Sequence, residues 1–196
     1  MADVHDVAAA VIARTGPESP MKLQKLLYYA QAWHLAEHGE PLFDAEIEAW
    51  RMGPVVRSVW DRHRHQNRVE AWDEGDATAL TPRESQLVAS VVARYGGFNR
   101  DDLSAMTHDE EPWQRARAGL PDSEPSSAPL SRAVMAAYFR RQVTDPLTAA
   151  AEALASVHIE GLQVSADAVT AAERVRNGEL STDQAVAQRI EALRGR

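Results

Sequence analysis

The hexapeptide Ser156-Val-His-Ile-Glu160-Gly161 places a hydroxyl and a carboxylate four residues apart, just ahead of a glycine. On a helix that spacing puts both groups on one face, one turn apart, with Glu152 a turn earlier. Gly161 stands where a left-handed helix cap belongs. A helix C-terminus carries partial negative charge, so a cation is favoured in its last turn. A carboxylate there costs about a few tenths of a kcal/mol. Glu160 is therefore a poor choice for helix stability. It suits an acceptor awaiting a cation on another molecule, and Ile159 and Leu162 flank it as apolar contacts. A polar, solvent-facing stripe on a weak helix accounts for the same spacing.

Two other clusters could carry chemistry. His34-Leu-Ala-Glu37-His38 fits the H-x-x-E-H pattern, in which two histidines bind zinc and the glutamate acts as general base. No third ligand is specified, and His38 beside Gly39 is also what a helix dipole favours. Arg57, Arg62, Arg64 and Arg68, interspersed with His63 and His65, could form an anion-binding face. A solvated helix end explains them as well. There is no cysteine, Gly-rich phosphate loop or G-x-S-x-G elbow, and no spacing picks out a Ser-His-Asp triad. No catalytic residue, metal or cofactor is expected.

The chain has 196 residues, 44% hydrophobic and 26% charged, with a net charge of -8. That composition fits one ordinary soluble domain with an appendage. An acidic chain is a poor nucleic-acid partner, because counterion release needs clustered Lys and Arg. No apolar run reaches the roughly 20 residues of a membrane span. The first residues lack the basic start of a signal peptide. The expected compartment is the cytoplasm.

The elements that must position these groups are mostly helical. Residues 4–14 predict a short helix closed by Gly16-Pro17. Leu23, Leu26, Leu27, Ala30 and Trp33 mark a second helix that Gly39 stops. Phe43, Ala45, Ile47 and Ala49 alternate with polar residues, as in a strand buried on one face. Gly53-Pro54 then breaks the strand and opens a helix carrying Val55, Val56, Val59 and Trp60. Thr81, Pro82 and Glu84 form a capping box for a helix ending at Gly96-Gly97. Two short helices meet near Glu111-Pro112, a Pro/Ser loop follows, and another helix starts near Ser131. Trp33, Trp50, Trp60 and Trp113 are read as core. Every Trp, Tyr and Phe precedes residue 143. Three further helices are expected after Asp145-Pro146, capped by Asp or Ser. Without aromatics they bury little area, so they are expected to fold on a partner.

Two stretches resemble known families. "KLQKLLYYAQAWHL" (Lys22 to Leu35), "PLF" (Pro41 to Phe43), "EAWRMGPV" (Glu48 to Val55) and "THDEEPWQRAR" (Thr107 to Arg117) are similar, in that order, to the Panacea domain of the SocA/GepA-like group. The resemblance implies a mostly helical α+β fold with a small β-hairpin or sheet, and a toxin-neutralising role. In some relatives it implies an adaptor that delivers a toxin to a protease. "IEGLQVSADAVTAAERVRNGELSTDQAVAQRIEAL" resembles the VbhA-type antitoxins of Fic toxins, whose inhibitory motif is [S/T]-x-x-x-E-[G/N]. It departs from that family in the spacer "QVSAD".

Fic enzymes transfer AMP from ATP to a protein hydroxyl, and one of their arginines clamps the γ-phosphate. The resemblance implies that Glu160 pairs with that arginine, that Ser156 bonds within the same site, and that Gly161 keeps bulk away. The expected organisation is a Panacea-like domain over 1–141 and a three-helix Fic-inhibitory module over 142–196. The chain is expected to be a non-enzymatic antitoxin whose partner is a Fic-domain toxin. The alternative is a toxin-binding protease adaptor, with a protease or chaperone as a further partner.

Overall fold

The computed structural model describes residues 1–144 and Arg174. The chain divides into two compact units, Met1–Arg140 and Arg141–Arg196. The first is built around one helix.

Among the described residues there are seven helices and one two-stranded antiparallel sheet. The helices are α1 (Val4–Thr15), α2 (Pro20–His38), α3 (Arg57–His63), α4 (Pro82–Tyr95), α5 (Arg100–His108), α6 (Glu111–Arg117) and α7 (Arg132–Thr144). The strands are β1 (Ile47–Trp50) and β2 (Gly53–Val56). The architecture is mostly α, as expected, with the hairpin set between α2 and α3.

α2 is the axis of the domain. Ser19 caps it by accepting from the Lys22 amide, Pro20 fits the first turn, and Gly39 closes it in the left-handed conformation at φ 74°. Every residue from Lys22 to Ala36 is buried. An amphipathic helix hides one stripe, whereas this one is covered on all sides, by α1, α3, α4, α5 and β2. The aromatic end of the core gathers around it. Tyr29 stacks on Tyr95 with centroids 3.8 Å apart, and Phe139 of α7 meets Tyr28, Tyr29 and Trp33 edge-on. The capping box of α4 is present in full: the Thr81 side chain accepts from the Glu84 amide, and Glu84 bonds back to Thr81.

Two expectations need correction. Gly53-Pro54 does not start a helix. Gly53 to Val56 form β2, paired with β1 in the register Ile47↔Val56, Glu48↔Val55, Ala49↔Pro54 and Trp50↔Gly53. The tight turn at Arg51-Met52 needs a positive φ, which Gly53 supplies at 94°. The helix then begins at Arg57, and the strand before the turn is confined to Ile47–Trp50. The second correction concerns the tryptophans. Trp33 and Trp113 are buried, but Trp50 and Trp60 are only half-buried. The Pro/Ser loop, for its part, covers the open edge of β1. The Ala49 amide donates to Ala128 O, and the Leu130 amide donates to Ile47 O.

Candidate functional site

The residues expected to inhibit a partner, Ser156, Ile159, Glu160, Gly161 and Leu162, lie outside the described residues. So do the residues of the three helices expected after Asp145-Pro146. The densest polar chemistry among the described residues is instead carried by α2.

Being buried all round, α2 must satisfy each of its polar side chains inside the protein, since an unpaired buried polar group costs about 1–3 kcal/mol. It does so by fastening other elements. Gln24 accepts from the Val56 amide at 2.7 Å, where β2 turns into α3, and its Nε2 lies 2.9 Å from Nε2 of buried His63. Lys25 Nζ donates to Pro54 O at 3.1 Å. The hydroxyls of Tyr28 and Tyr29 donate to the two carboxylate oxygens of Glu110 at 2.6 and 3.0 Å. Gln31 accepts from the Leu42 and Phe43 amides and donates to Phe43 O, holding the extended segment before β1. His34 Nδ1 sits 2.7 Å from Glu40 O and fixes the chain just after the helix.

Burial reshapes the acid–base chemistry here. Removal from water lowers Lys25 to about 7. Burial raises Glu110 to about 7, opposed by the two tyrosine hydrogen bonds, and it pushes both tyrosines far up. A lysine near neutrality can serve as a base or nucleophile. This one is about 1% exposed and sealed by the hairpin, because a Cβ on Gly53 would lie 2.6 Å from Lys25 Nζ and from Thr107 Oγ1. No substrate reaches it. The arrangement is a clamp.

His34 and His38 do meet, with ring centroids 4.6 Å apart. They border a cleft of about 260 Å³ with Glu40, Thr81, Arg83 and Glu84. His34 is tied by Nδ1 to a carbonyl, and burial holds its pKa below the ordinary histidine value. His38 Nδ1 accepts from Arg83 at 2.9 Å. Among the described residues no three His, Asp or Glu side chains converge as a metal site. The arginine-rich segment does not converge into an anion cradle either, and of its four arginines only Arg64 has no acidic partner among the described residues. Arg57 pairs with Glu48, Arg62 with Glu74 and Arg68 with Glu70, and His63 is turned inward.

A residue to which the sequence assigned no role of its own is Arg117. It is about 2% exposed, donates to Ala49 O, Pro121 O and Glu124 O, and lies over the Trp113 ring. Its signal in the sequence was only the spacing W-x-x-x-R on a short helix.

Residues 23–114 match the family described as Antitoxin SocA-like, Panacea domain. That span holds Gln24, Lys25, Tyr28, Tyr29, Gln31, Gly53, Thr107 and Glu110, so the clamp lies within the Panacea-matching segment. Residues 147–192 match a second family, Antitoxin VbhA, and this span includes Ser156, Glu160 and Gly161. Antitoxin SocA of Caulobacter vibrioides (strain NA1000 / CB15N) is 49% identical over 44 residues, 22% of this chain and 23% of that protein. The match therefore spans about a quarter of the curated relative. No solved structure matches the chain. Within residues 23–114, the L-Q-K-L-L-Y-Y-A-Q string carries the clamp, and G-P is the start of β2 on which it closes.

Proposed function

We propose that this protein is an antitoxin that neutralises a Fic-domain, AMP-transferring toxin in trans. The observation that carries the reading is the presence, in one chain, of a segment matching Antitoxin SocA-like, Panacea domain and a segment matching Antitoxin VbhA, with Ser156, Glu160 and Gly161 inside the second. The inhibitory step is a substitution of partners. A carboxylate and a phosphate both offer two oxygens to the fork of an arginine. Glu160 takes the toxin arginine that would otherwise hold the ATP γ-phosphate, and the α-phosphate is no longer aligned for attack. Ser156 adds a hydrogen bond, Gly161 allows close approach, and Ile159 and Leu162 bury apolar surface on the toxin. The antitoxin acts in the cytoplasm, needs no cofactor and catalyses nothing. No described helix is long and apolar enough to cross a membrane.

A second reading rests on the match to Antitoxin SocA: the Panacea domain binds a toxin and hands it to a protease, with the C-terminal segment as a tether. Removing residues 143–196 separates the two in a growth assay with the toxin co-expressed. Loss of neutralisation supports the Fic plug. Neutralisation that persists and requires a protease supports the adaptor.

A further inference from the structure

Two of the five tryptophans are only half-buried, and they stand together. Trp50 of β1 and Trp60 of α3 meet edge-on with centroids 5.3 Å apart, while Trp33, Trp72 and Trp113 are buried. One carboxylate fixes the group. Glu48 accepts from Trp50 Nε1 at 2.6 Å and from Arg57 Nε and Nη2 at 2.8 Å each, which sets the Arg57 guanidinium 5.1 Å from the centroid of the Trp50 ring. The backbone beneath is pinned from behind. Trp113 Nε1 donates to Trp50 O, Arg117 to Ala49 O and Ser104 Oγ to Met52 O. Met52, at the hairpin turn, is 43% exposed.

Trp, Arg and Met are the residues enriched at the centres of protein interfaces, and rigid ones lose little entropy on binding. The charge around the pair narrows the occupant. Glu48 is saturated by Arg57 and Trp50. Asp61 lies on the same helix face and adds its field to Arg57. Arg51, next to Trp50, and Arg64, one turn beyond Trp60, are exposed and have no acidic partner among the described residues. The indole pair thus has one exposed arginine next to it in the chain and another one helical turn away, on a chain of net charge -8.

We propose that this face of the Panacea segment docks an acidic segment of a protein partner, with an apolar side chain against Trp50 and Trp60 and carboxylates on Arg51 and Arg64. It rests on the antitoxin reading only in taking that partner to be the toxin. It would act as a second hold, separate from the Glu160 plug.

The test uses the full chain and a displayed library of random peptides as the probe. The expected outcome is enrichment of peptides with Asp or Glu beside Leu, Phe or Trp, bound more weakly as salt rises. Arg64→Glu, an exposed substitution that leaves the core intact, should weaken the selected peptides roughly tenfold, and Trp60→Ser at least as much. Selection of neutral or basic peptides overturns the proposal. So does acidic-peptide binding that Arg64→Glu leaves unchanged, or no enrichment at all. None of these results depends on whether Glu160 inhibits a Fic enzyme, so the two ideas can fail separately.

Discussion

Gly53→Ala is the sharpest single test of the clamp. The backbone at this position has φ 94°, a region that a residue with a Cβ enters at a cost of about 1–3 kcal/mol. The added methyl would also sit 2.6 Å from Lys25 Nζ and Thr107 Oγ1 and 2.8 Å from Lys25 Cε. The lysine end is flexible in principle, but here it is buried and committed to Pro54 O. Moving it overpacks the site or breaks that bond, at a further cost of about 1–3 kcal/mol. Together the expected destabilisation is about 3 kcal/mol. For a cooperative unit spanning Met1–Arg140, with about 2 cal/mol/K of unfolding entropy per residue, that lowers the melting temperature by about 10 °C. Tryptophan fluorescence during thermal and urea unfolding is the assay, because every tryptophan lies in this unit. Combining Gly53→Ala with Lys25→Leu should cost less than the two separate losses added together, since the shorter side chain relieves the clash. A melting temperature unchanged to within about 2 °C in Gly53→Ala would refute the clamp geometry.

Other consequences follow from the same polar series. Glu110 is raised in the folded state from 4.5 to about 7, so its contribution is full below pH 4.5 and is lost as pH rises to about 7. Lys25 is lowered from 10.5 to about 7, so its contribution is full above pH 10.5 and is lost as pH falls to about 7. Unfolding free energy measured across pH should therefore dip near neutrality. Glu110→Gln should flatten the acid side and Lys25→Met the alkaline side; a profile that neither variant alters contradicts this. Gln31→Ala orphans the Leu42 and Phe43 amides and should cost about 2–3 kcal/mol in urea unfolding, with hydrogen exchange at those amides accelerating first.

Much of the fold was legible because its punctuation is local. Thr81-Pro82-Arg83-Glu84 is a complete start signal, Gly39 and Gly16 are complete stops, and the helices they bound are present. The errors came where tertiary structure overrules local habit. Gly53-Pro54 carries the composition of a helix start, yet pairing with Ala49 and Trp50 and the Lys25 bond to Pro54 O keep it in a hairpin. Trp50 and Trp60 share the hydrophobicity of Trp33 and Trp113, and nothing in the sequence says that Glu48 and Arg57 hold the first pair at the surface. The spacing of Gln24, Lys25 and Gln31 in the sequence does not say that all three point inward. Their role became visible only once the helix was found to have no solvent face. The proposed site at Glu160 has a different basis: a carboxylate at the unfavourable end of an expected helix is compatible with a cation on a partner, and the partner proposed for it comes from the resemblance, not from the dipole.

The central claim is that Glu160 occupies the arginine of a Fic-domain toxin. The direct measurement is AMP transfer by a Fic-domain toxin that binds this chain, titrated with the wild-type chain and with Glu160→Gly. The account predicts that wild type abolishes transfer at stoichiometric ratios. Glu160→Gly should still bind the toxin but leave transfer at the uninhibited rate. A Glu160→Gly chain that inhibits as well as wild type would contradict it.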